Sequence, residues 1–296
     1  MKVLAPGKLV LTGAYAVLEG APAIVVAVDR YAVADVASGQ HADVQVDTRS
    51  MVDAKGRKLG LGSSAAWMVA AEGARVAARG RDLRDDEVRA DLFGAVRETH
   101  ARAQRGGSGI DVAASVYGGA LRYELDGPRP AARPIALPEG LCFAAFWSGT
   151  SARTSELRAR VDGLTGSARR FAFSELHAAS IASVAAVEAR DRPAFVQAAS
   201  RFGRALADLG RAADAPIVPP SFAELARLAE REGAAFYPSG AGGGDVGVWL
   251  GSRGPSHLFV ARAEALAMMR LDLGFDGEGV RLAIAVPGVS PSSSVL

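Results

Sequence analysis

A stretch nearly free of large side chains, "LGLGSSAA" at residues 59–66, stands directly before a long alanine-rich segment. Its alanines and the closing Gly80 predict a helix over residues 64–80. Glycine accepts positive φ angles and allows close approach to the backbone, and the first amides of a helix are unpaired and partly positive. The sequence therefore predicts a loop that binds an anion such as a phosphate, with a serine-capped turn as the alternative.

Two familiar nucleotide-binding motifs do not fit this loop. A P-loop requires Gly-Lys-Ser/Thr after its spacer, and neither "GLGSSA" nor "PGKLVL" supplies it. A dinucleotide-binding loop follows a buried strand, whereas the polar segment "DAKGRK" precedes this one. Both interpretations are therefore rejected.

Two other stretches carry groups that a phosphate loop alone lacks. Lys8 lies in "APGKLVLTG" at the start of a predicted strand, and Asp111 ends "GGSGID" at a predicted helix start. Phosphoryl transfer needs a backbone cradle, a cation, a metal ligand and a carboxylate that orients the acceptor. Alone, Lys8 could be a solvated lysine and Asp111 a helix cap. Together with the glycine loop they favour a phosphoryl-transfer site.

The pattern of apolar residues predicts a mixed α/β (α+β) chain of two domains. A proline-rich stretch at 125–140 suggests a boundary, which gives domains of residues 1–135 and 136–296. The predicted strands cover residues 8–13, 21–37, 41–48, 141–147 and 280–286. The predicted helices after residue 80 cover residues 85–104, 155–163, 168–190, 193–212 and 221–233.

Composition excludes several partners. The formal charge is +2, and the basic residues are scattered without interleaved aromatics, so nucleic acid is not an expected partner. No window is apolar enough for a membrane span, and Pro6, Gly7 and Lys8 interrupt the N-terminus too early for a signal peptide. The single Cys142 cannot form an internal disulfide. We expect a cytoplasmic monomer or homodimer.

Three motifs in order resemble those of the GHMP kinases: "APGKLVLTGAYAVLEG", "GLGSSAA" and "PSGAGGGDVGVWLG". Within that family, "AVDRYAV", "HARAQRGGSGIDVAASVYGG" and "FWSGTSARTSEL" resemble the phosphomevalonate kinase branch. The resemblance implies an N-terminal α/β domain with a left-handed βαβ crossover and a C-terminal ferredoxin-like domain. It also implies that ATP and a small-molecule acceptor meet in the cleft between them.

The resemblance implies a role for particular residues. Lys8 and Asp111 match the catalytic residues, and Ser64 matches the serine that binds Mg²⁺ in relatives. The residues expected to bind ATP phosphates are Gly60, Leu61, Gly62, Ser63, Ser64 and Ala65. The residues expected to bind the acceptor are Tyr15, Ser108, Gly109, Ser151, Arg153, Thr154, Gly242 and Gly243.

The expected activity is ATP- and Mg²⁺-dependent phosphorylation of a phosphorylated isoprenoid precursor. The alternatives are a mevalonate kinase, another kinase or a decarboxylase of this family, or a non-catalytic nucleotide-binding homologue. His100, where mevalonate kinases carry a metal-binding glutamate, is more simply a buried histidine with satisfied hydrogen bonds. Asp245 is expected to stabilise its loop.

The chain departs from the family between its third predicted strand and "GLGSSAA", where relatives have a longer stretch including a helix. A basic residue that phosphomevalonate kinases use from that stretch has no counterpart. Ala14 stands where relatives often have glutamate, and Arg153 where a serine is common. A guanidinium binds phosphate through two parallel hydrogen bonds, so Arg153 is a candidate for the missing cation.

If Arg153 contacts the acceptor, Arg153→Ala should raise the KM for the phosphorylated acceptor about tenfold, or about 1.4 kcal/mol. Steady-state kinetics with the acceptor varied at saturating ATP measures this. An unchanged KM would remove Arg153 from the site.

Overall fold

The first half of the chain is built on one antiparallel sheet. The computed structural model describes residues 1–41, 43–104, 106–125, 130–151 and 154–283. The sheet has the order β10-β1-β2-β4-β5, and β3 pairs with the far end of β2. Its strands are β1 (Lys2–Thr12), β2 (Ala23–Asp35), β3 (Val46–Asp47), β4 (Ala120–Glu124), β5 (Ala131–Ile135) and β10 (Arg281–Leu282).

Three helices connect β3 to β4: α1 (Ser63–Ala78), α2 (Asp86–Ala103) and α3 (Ile110–Tyr117). Helices α1 and α3 pack on the sheet, and α2 packs on α1 and α3. Helix α1 packs on β1 and β2 through small side chains, because most of its alanines are buried. Every strand pair within the described ranges is antiparallel, so β1 and β4 run parallel with β2 between them. The handedness that the resemblance implies for this crossover stays a prediction.

The second half contains a four-stranded antiparallel sheet of order β7-β8-β6-β9. The strands are β6 (Cys142–Trp147), β7 (Ala235–Pro238), β8 (Val246–Gly251) and β9 (Met269–Leu271). The helices are α4 (Thr154–Asp162), α5 (Gly166–Glu188), α6 (Arg192–Ala212), α7 (Pro220–Arg231) and α8 (His257–Ala265). With α4–α7 between β6 and β7, and α8 between β8 and β9, this is the ferredoxin-like arrangement that the resemblance implies.

The two sheets are joined along the outer edge of β1. The Ser239 hydroxyl accepts a hydrogen bond from the Val10 amide at 2.9 Å and donates one to the Val10 carbonyl at 3.1 Å. Just before it, the Tyr237 hydroxyl donates to the Leu11 carbonyl at 2.5 Å. These bonds fix the start of the C-terminal glycine stretch against the strand that carries Lys8.

Some boundaries differ from the sequence-based expectation. The third strand, predicted over residues 41–48, is only Val46–Asp47, and a short 3₁₀ helix at Ala37–Gln40 packs on α1 instead. Strand β5 lies inside the proline-rich stretch, where no strand was predicted. Of the predicted last strand, the described residues include Arg281–Leu282 in a strand, and the part from residue 284 lies outside the described ranges. Strand β10, near the end of the chain, pairs with β1 of the first sheet, so the first sheet contains residues from beyond the predicted boundary. The division at residue 135 stays a prediction.

The junction gives a stability test. Ser239→Ala leaves the buried Val10 amide and carbonyl without these partners and should lower the free energy of unfolding by about 1–3 kcal/mol. Urea denaturation measures it, with the exposed Ser252→Ala as control, which should change stability by less than about 0.5 kcal/mol. Equal effects of the two substitutions would contradict this junction.

Candidate active site

The phosphate loop is held in an open shape by glycines in the left-handed region. Gly60 and Gly62 have φ angles of 79° and 78°. Gly62 is the N-cap of α1 and makes no side-chain capping bond, so the alternative of a serine-capped turn is wrong. The Lys8 amide donates to the Leu61 carbonyl at 2.8 Å, which ties the loop to β1. The amides at the start of α1 therefore follow a loop whose shape depends on its glycine backbone and not on a capping side chain.

Lys8 and Asp111 meet beneath Gly62. A Cβ placed on Gly62 would stand 3.0 Å from Lys8 Cγ, 3.2 Å from Lys8 Cε and 3.7 Å from Asp111 Cβ. The lysine and the carboxylate, 103 positions apart in sequence, thus converge on the phosphate loop. The Lys8 ammonium has no hydrogen bond or ion pair to the residues that the structure describes. It is therefore available for an anionic ligand.

Asp111 is fixed at the start of α3 and does not cap it. The N-cap is Gly109, with φ 78°, and Asp111 is the second residue of the helix. Its Oδ1 accepts a hydrogen bond from the Val112 amide at 3.0 Å. Just before the helix, the Ser108 carbonyl accepts a hydrogen bond from the Tyr123 hydroxyl. Burial raises the pKa of Tyr123, which keeps that hydroxyl a donor.

His100 lies behind Asp111. Its side chain is buried, its Nε2 is 3.8 Å from Asp111 Oδ2, and it is 2.9 Å from Gln104 Nε2. The expectation of a buried, hydrogen-bonded histidine is confirmed. Its closeness to Asp111 was not foreseen, because residues 100 and 111 lie on different helices and only their packing brings them together.

The C-terminal glycine stretch closes over the phosphate loop. A Cβ on Gly60 would stand 2.4 Å from Asp245 Cβ, and one on Gly240 would stand 3.8 Å from Lys8 Nζ. The backbone of Asp245 accepts from the Ser148 amide at 2.8 Å and donates to the Thr150 carbonyl at 2.9 Å. Asp245 thus connects three loops, and the expectation that it stabilises its own loop stays a prediction.

Three of the residues predicted to bind the acceptor, Tyr15, Gly242 and Gly243, lie at or against the C-terminal glycine stretch. Tyr15 is buried with φ 61°, and its hydroxyl donates to the Ala241 carbonyl at 2.7 Å. Burial, and secondarily Asp162, raises the pKa of Tyr15, so this hydroxyl stays protonated. Gly242 and Gly243 leave no room for a side chain, since a Cβ would meet Ile217 O at 2.1 Å or Leu157 Cδ1 at 2.6 Å.

The remaining predicted acceptor residues lie at two loops. Ser108 and Gly109 directly precede α3 and Asp111. Ser151 and Thr154 are exposed beside the turn that bonds to Asp245. Arg153 lies outside the described residues. The roles of all the predicted site residues stay predictions.

The short lead-in to the phosphate loop contacts the second half directly. Val52 and Lys58 form an antiparallel bridge around a turn in which Arg57 pairs with Asp53 at 2.7 Å. Arg57 Nη1 donates to the Gly149 carbonyl at 2.7 Å, and its guanidinium lies 4.7 Å above the Trp147 ring. Sequence analysis missed this contact because nothing local to "DAKGRK" indicates its partner.

The described ranges contain no group of three or more His, Cys, Asp or Glu side chains arranged for a metal ion. Across the same ranges, no helix has the length and apolar character needed to cross a bilayer.

This geometry agrees with comparisons to known proteins. Residues 24–119 match the family model of the GHMP kinases N terminal domain. A phosphomevalonate kinase of Streptomyces sp. (strain CL190) is 33% identical over 219 residues, 66% of this chain and 58% of that protein. The chain thus spans less than two thirds of that curated relative.

Solved structures share the fold over almost the whole chain. The Lin0012 protein from Listeria innocua matches with a TM-score of 0.82 and 22% identity, covering 95% of this chain and 98% of that one. Streptococcus pneumoniae phosphomevalonate kinase, in complex with phosphomevalonate and AMPPNP, matches with a TM-score of 0.75 and 18% identity, covering 93% and 99%.

The match to the GHMP kinase family model thus lies in the first half of the chain, and the solved structures show that the fold is shared over more than nine-tenths of it. The curated relative is a phosphomevalonate kinase, and its 33% identity confirms the resemblance to that branch over the aligned 219 residues.

The contact between Gly60 and Asp245 gives a test with a matched control. Gly60→Ala and Gly56→Ala both place alanine at positive φ, at a cost of about 1–3 kcal/mol, but Gly56 has nothing within 4 Å. Gly60→Ala should cost about 1–3 kcal/mol more through overpacking and should weaken Mg-ATP binding. Urea denaturation and calorimetric titration measure both. Matching results for the two variants would contradict the close contact.

Proposed function

We propose that this protein is an ATP-dependent phosphotransferase, and specifically a phosphomevalonate kinase that converts phosphomevalonate and ATP to diphosphomevalonate and ADP. The observation that carries the proposal is the meeting of Lys8 and Asp111 under Gly62, at the N-terminus of α1. The similarity to phosphomevalonate kinases supports the choice of acceptor.

Each residue has a part in this proposal. The amides of residues 60–65 bind the triphosphate at the positive end of α1, as glycine loops before helices do. Lys8, whose side-chain carbons lie against Gly62 and whose Nζ lies close to Gly240, offsets charge on the transferring phosphoryl group. Asp111, held by the start of α3, orients the acceptor oxygen toward the γ-phosphate.

The acceptor determines how much proton transfer Asp111 must perform. An alcohol loses its proton during transfer, so a carboxylate that accepts or orients that proton is useful. A phosphomonoester has a second pKa near 6 and is already largely a dianion at neutral pH. With phosphomevalonate, Asp111 therefore mainly positions groups.

The residues present fit magnesium only as part of a nucleotide complex. Mg²⁺ usually keeps several waters and binds through substrate phosphates with one or two protein ligands. Ser64, half-buried in the first turn of α1, is our candidate protein ligand. When bound, the ion would neutralise charge on the phosphate oxygens. A cytoplasmic location and a monomeric or homodimeric state belong to the same proposal.

A coupled ADP-release assay tests the function directly. With Mg-ATP present, we expect ADP release with phosphomevalonate and little with mevalonate, homoserine or galactose. Release with mevalonate alone would reassign the protein as a mevalonate kinase. If no acceptor releases ADP and Mg-ATP does not raise the melting temperature, the kinase proposal fails, since ligand at 100 times its Kd adds about 2.7 kcal/mol of stability.

The role of Asp111 depends on the acceptor, which makes Asp111→Asn informative. This variant should keep measurable activity with phosphomevalonate, because positioning by hydrogen bonds survives the loss of the base. Rates of ADP release at saturating substrates measure the effect. Complete loss, with Mg-ATP affinity unchanged, would mean that Asp111 accepts a proton and would favour an alcohol acceptor.

A further inference from the structure

Arg158 reaches from the second half of the chain to the loop that leads into Asp111. Helix α4 is anchored by the buried side chains of Leu157 and Val161, and Leu157 packs against Gly243. Arg158, one residue further on, points instead to Gly106. A Cβ on Gly106 would stand 3.0 Å from Arg158 Nη1 and 3.3 Å from Nη2.

The guanidinium of Arg158 is oriented through one of its three nitrogens. Its Nε lies 3.5 Å from Asp162 Oδ2, one helical turn away. Nη1 and Nη2 make no hydrogen bond or ion pair to the part of the chain that the structure describes. The side chain is 33% exposed, so a small molecule can reach it. A guanidinium held this way presents parallel N–H donors that match phosphate or carboxylate.

The surroundings of Arg158 are those expected of the acceptor site. Gly106 has φ 115° and Gly107 has φ 140°, and around Gly107 there is open space where a Cβ would be. Asp162, which pairs with Arg158, is also close enough to raise the pKa of Tyr15. The stretch from Gly106 to Asp111, helix α4 and Tyr15 with its glycine loop therefore converge near this guanidinium.

We propose that Arg158 is a specificity-determining residue that binds an anionic group of the acceptor. This inference rests on the proposed function, because it assumes an acceptor at Asp111. It adds a second candidate, besides Arg153, for the cation that relatives supply from the stretch that this chain lacks. Phosphomevalonate carries a phosphate at one end and a carboxylate at the other, and both are ligands for a guanidinium.

Arg158→Gln tests the proposal, since it removes the charge but keeps most of the side-chain length. Arg160→Gln is the matched control: it makes the same charge change on the same helix, but Arg160 bonds to the Asp214 carbonyl. We expect Arg158→Gln to raise the KM for phosphomevalonate at least tenfold, with the KM for ATP and the melting temperature unchanged. Arg158→Lys should recover part of the loss, and Arg160→Gln should behave as wild type.

Two ligands identify which anionic group is bound. Mevalonate carries only the carboxylate and isopentenyl phosphate only the phosphate, so their inhibition constants should respond differently. Weaker inhibition by either one in Arg158→Gln supports the proposal and names the group. Unchanged values for both, or equal losses in the two glutamine variants, overturn it.

Titration calorimetry with phosphomevalonate separates this inference from the kinase proposal. If the wild type binds phosphomevalonate but does not turn it over, only the proposed kinase reaction is contradicted. Weaker binding of phosphomevalonate by Arg158→Gln would then still support the proposed binding role of Arg158. If the wild type releases ADP while Arg158→Gln binds and reacts normally, only the inference fails. If the wild type does not bind phosphomevalonate, both are overturned.

Discussion

The site depends on the absence of a side chain at Gly62. A Cβ on Gly62 would crowd the Lys8 side chain and contact Asp111 Cβ, so without one the loop lies directly against the two residues for which we propose a role in phosphoryl transfer. The positive φ angle of Gly62 turns the chain into α1 at the same point. One residue therefore sets both the direction of the helix amides and their distance from the lysine and the carboxylate.

The rest of the fold keeps these parts in register. Strand β1 carries Lys8, binds the phosphate loop through its amide, and is held along its outer edge by Ser239 and Tyr237 from the second half. Asp245 then packs on Gly60 from the other side. Because the site is assembled from both halves, relative movement of the sheets would change the distance from the C-terminal glycine stretch to Lys8 and the phosphate loop.

Local sequence predicted those parts of the molecule that local chemistry determines. The helix after "GLGSSAA" and the short helix at Asp111 follow from composition and glycine position. The third predicted strand failed because alternation of apolar residues over 41–48 does not specify a partner, and packing on α1 favours a 3₁₀ turn just before it. The contacts of His100, Arg57 and Arg158 depend on tertiary packing, which one sequence without an alignment does not reveal.

The central claim is that the cradle at Gly62 and the ammonium of Lys8 act together in phosphoryl transfer. The most direct measurement is ³¹P nuclear magnetic resonance of a mixture of protein, Mg-ATP and phosphomevalonate, comparing wild type with Lys8→Met. The account predicts diphosphate-ester signals that grow with ADP for wild type, and their near absence for Lys8→Met despite retained folding. Equal product formation by the two proteins, or none by wild type, would contradict it.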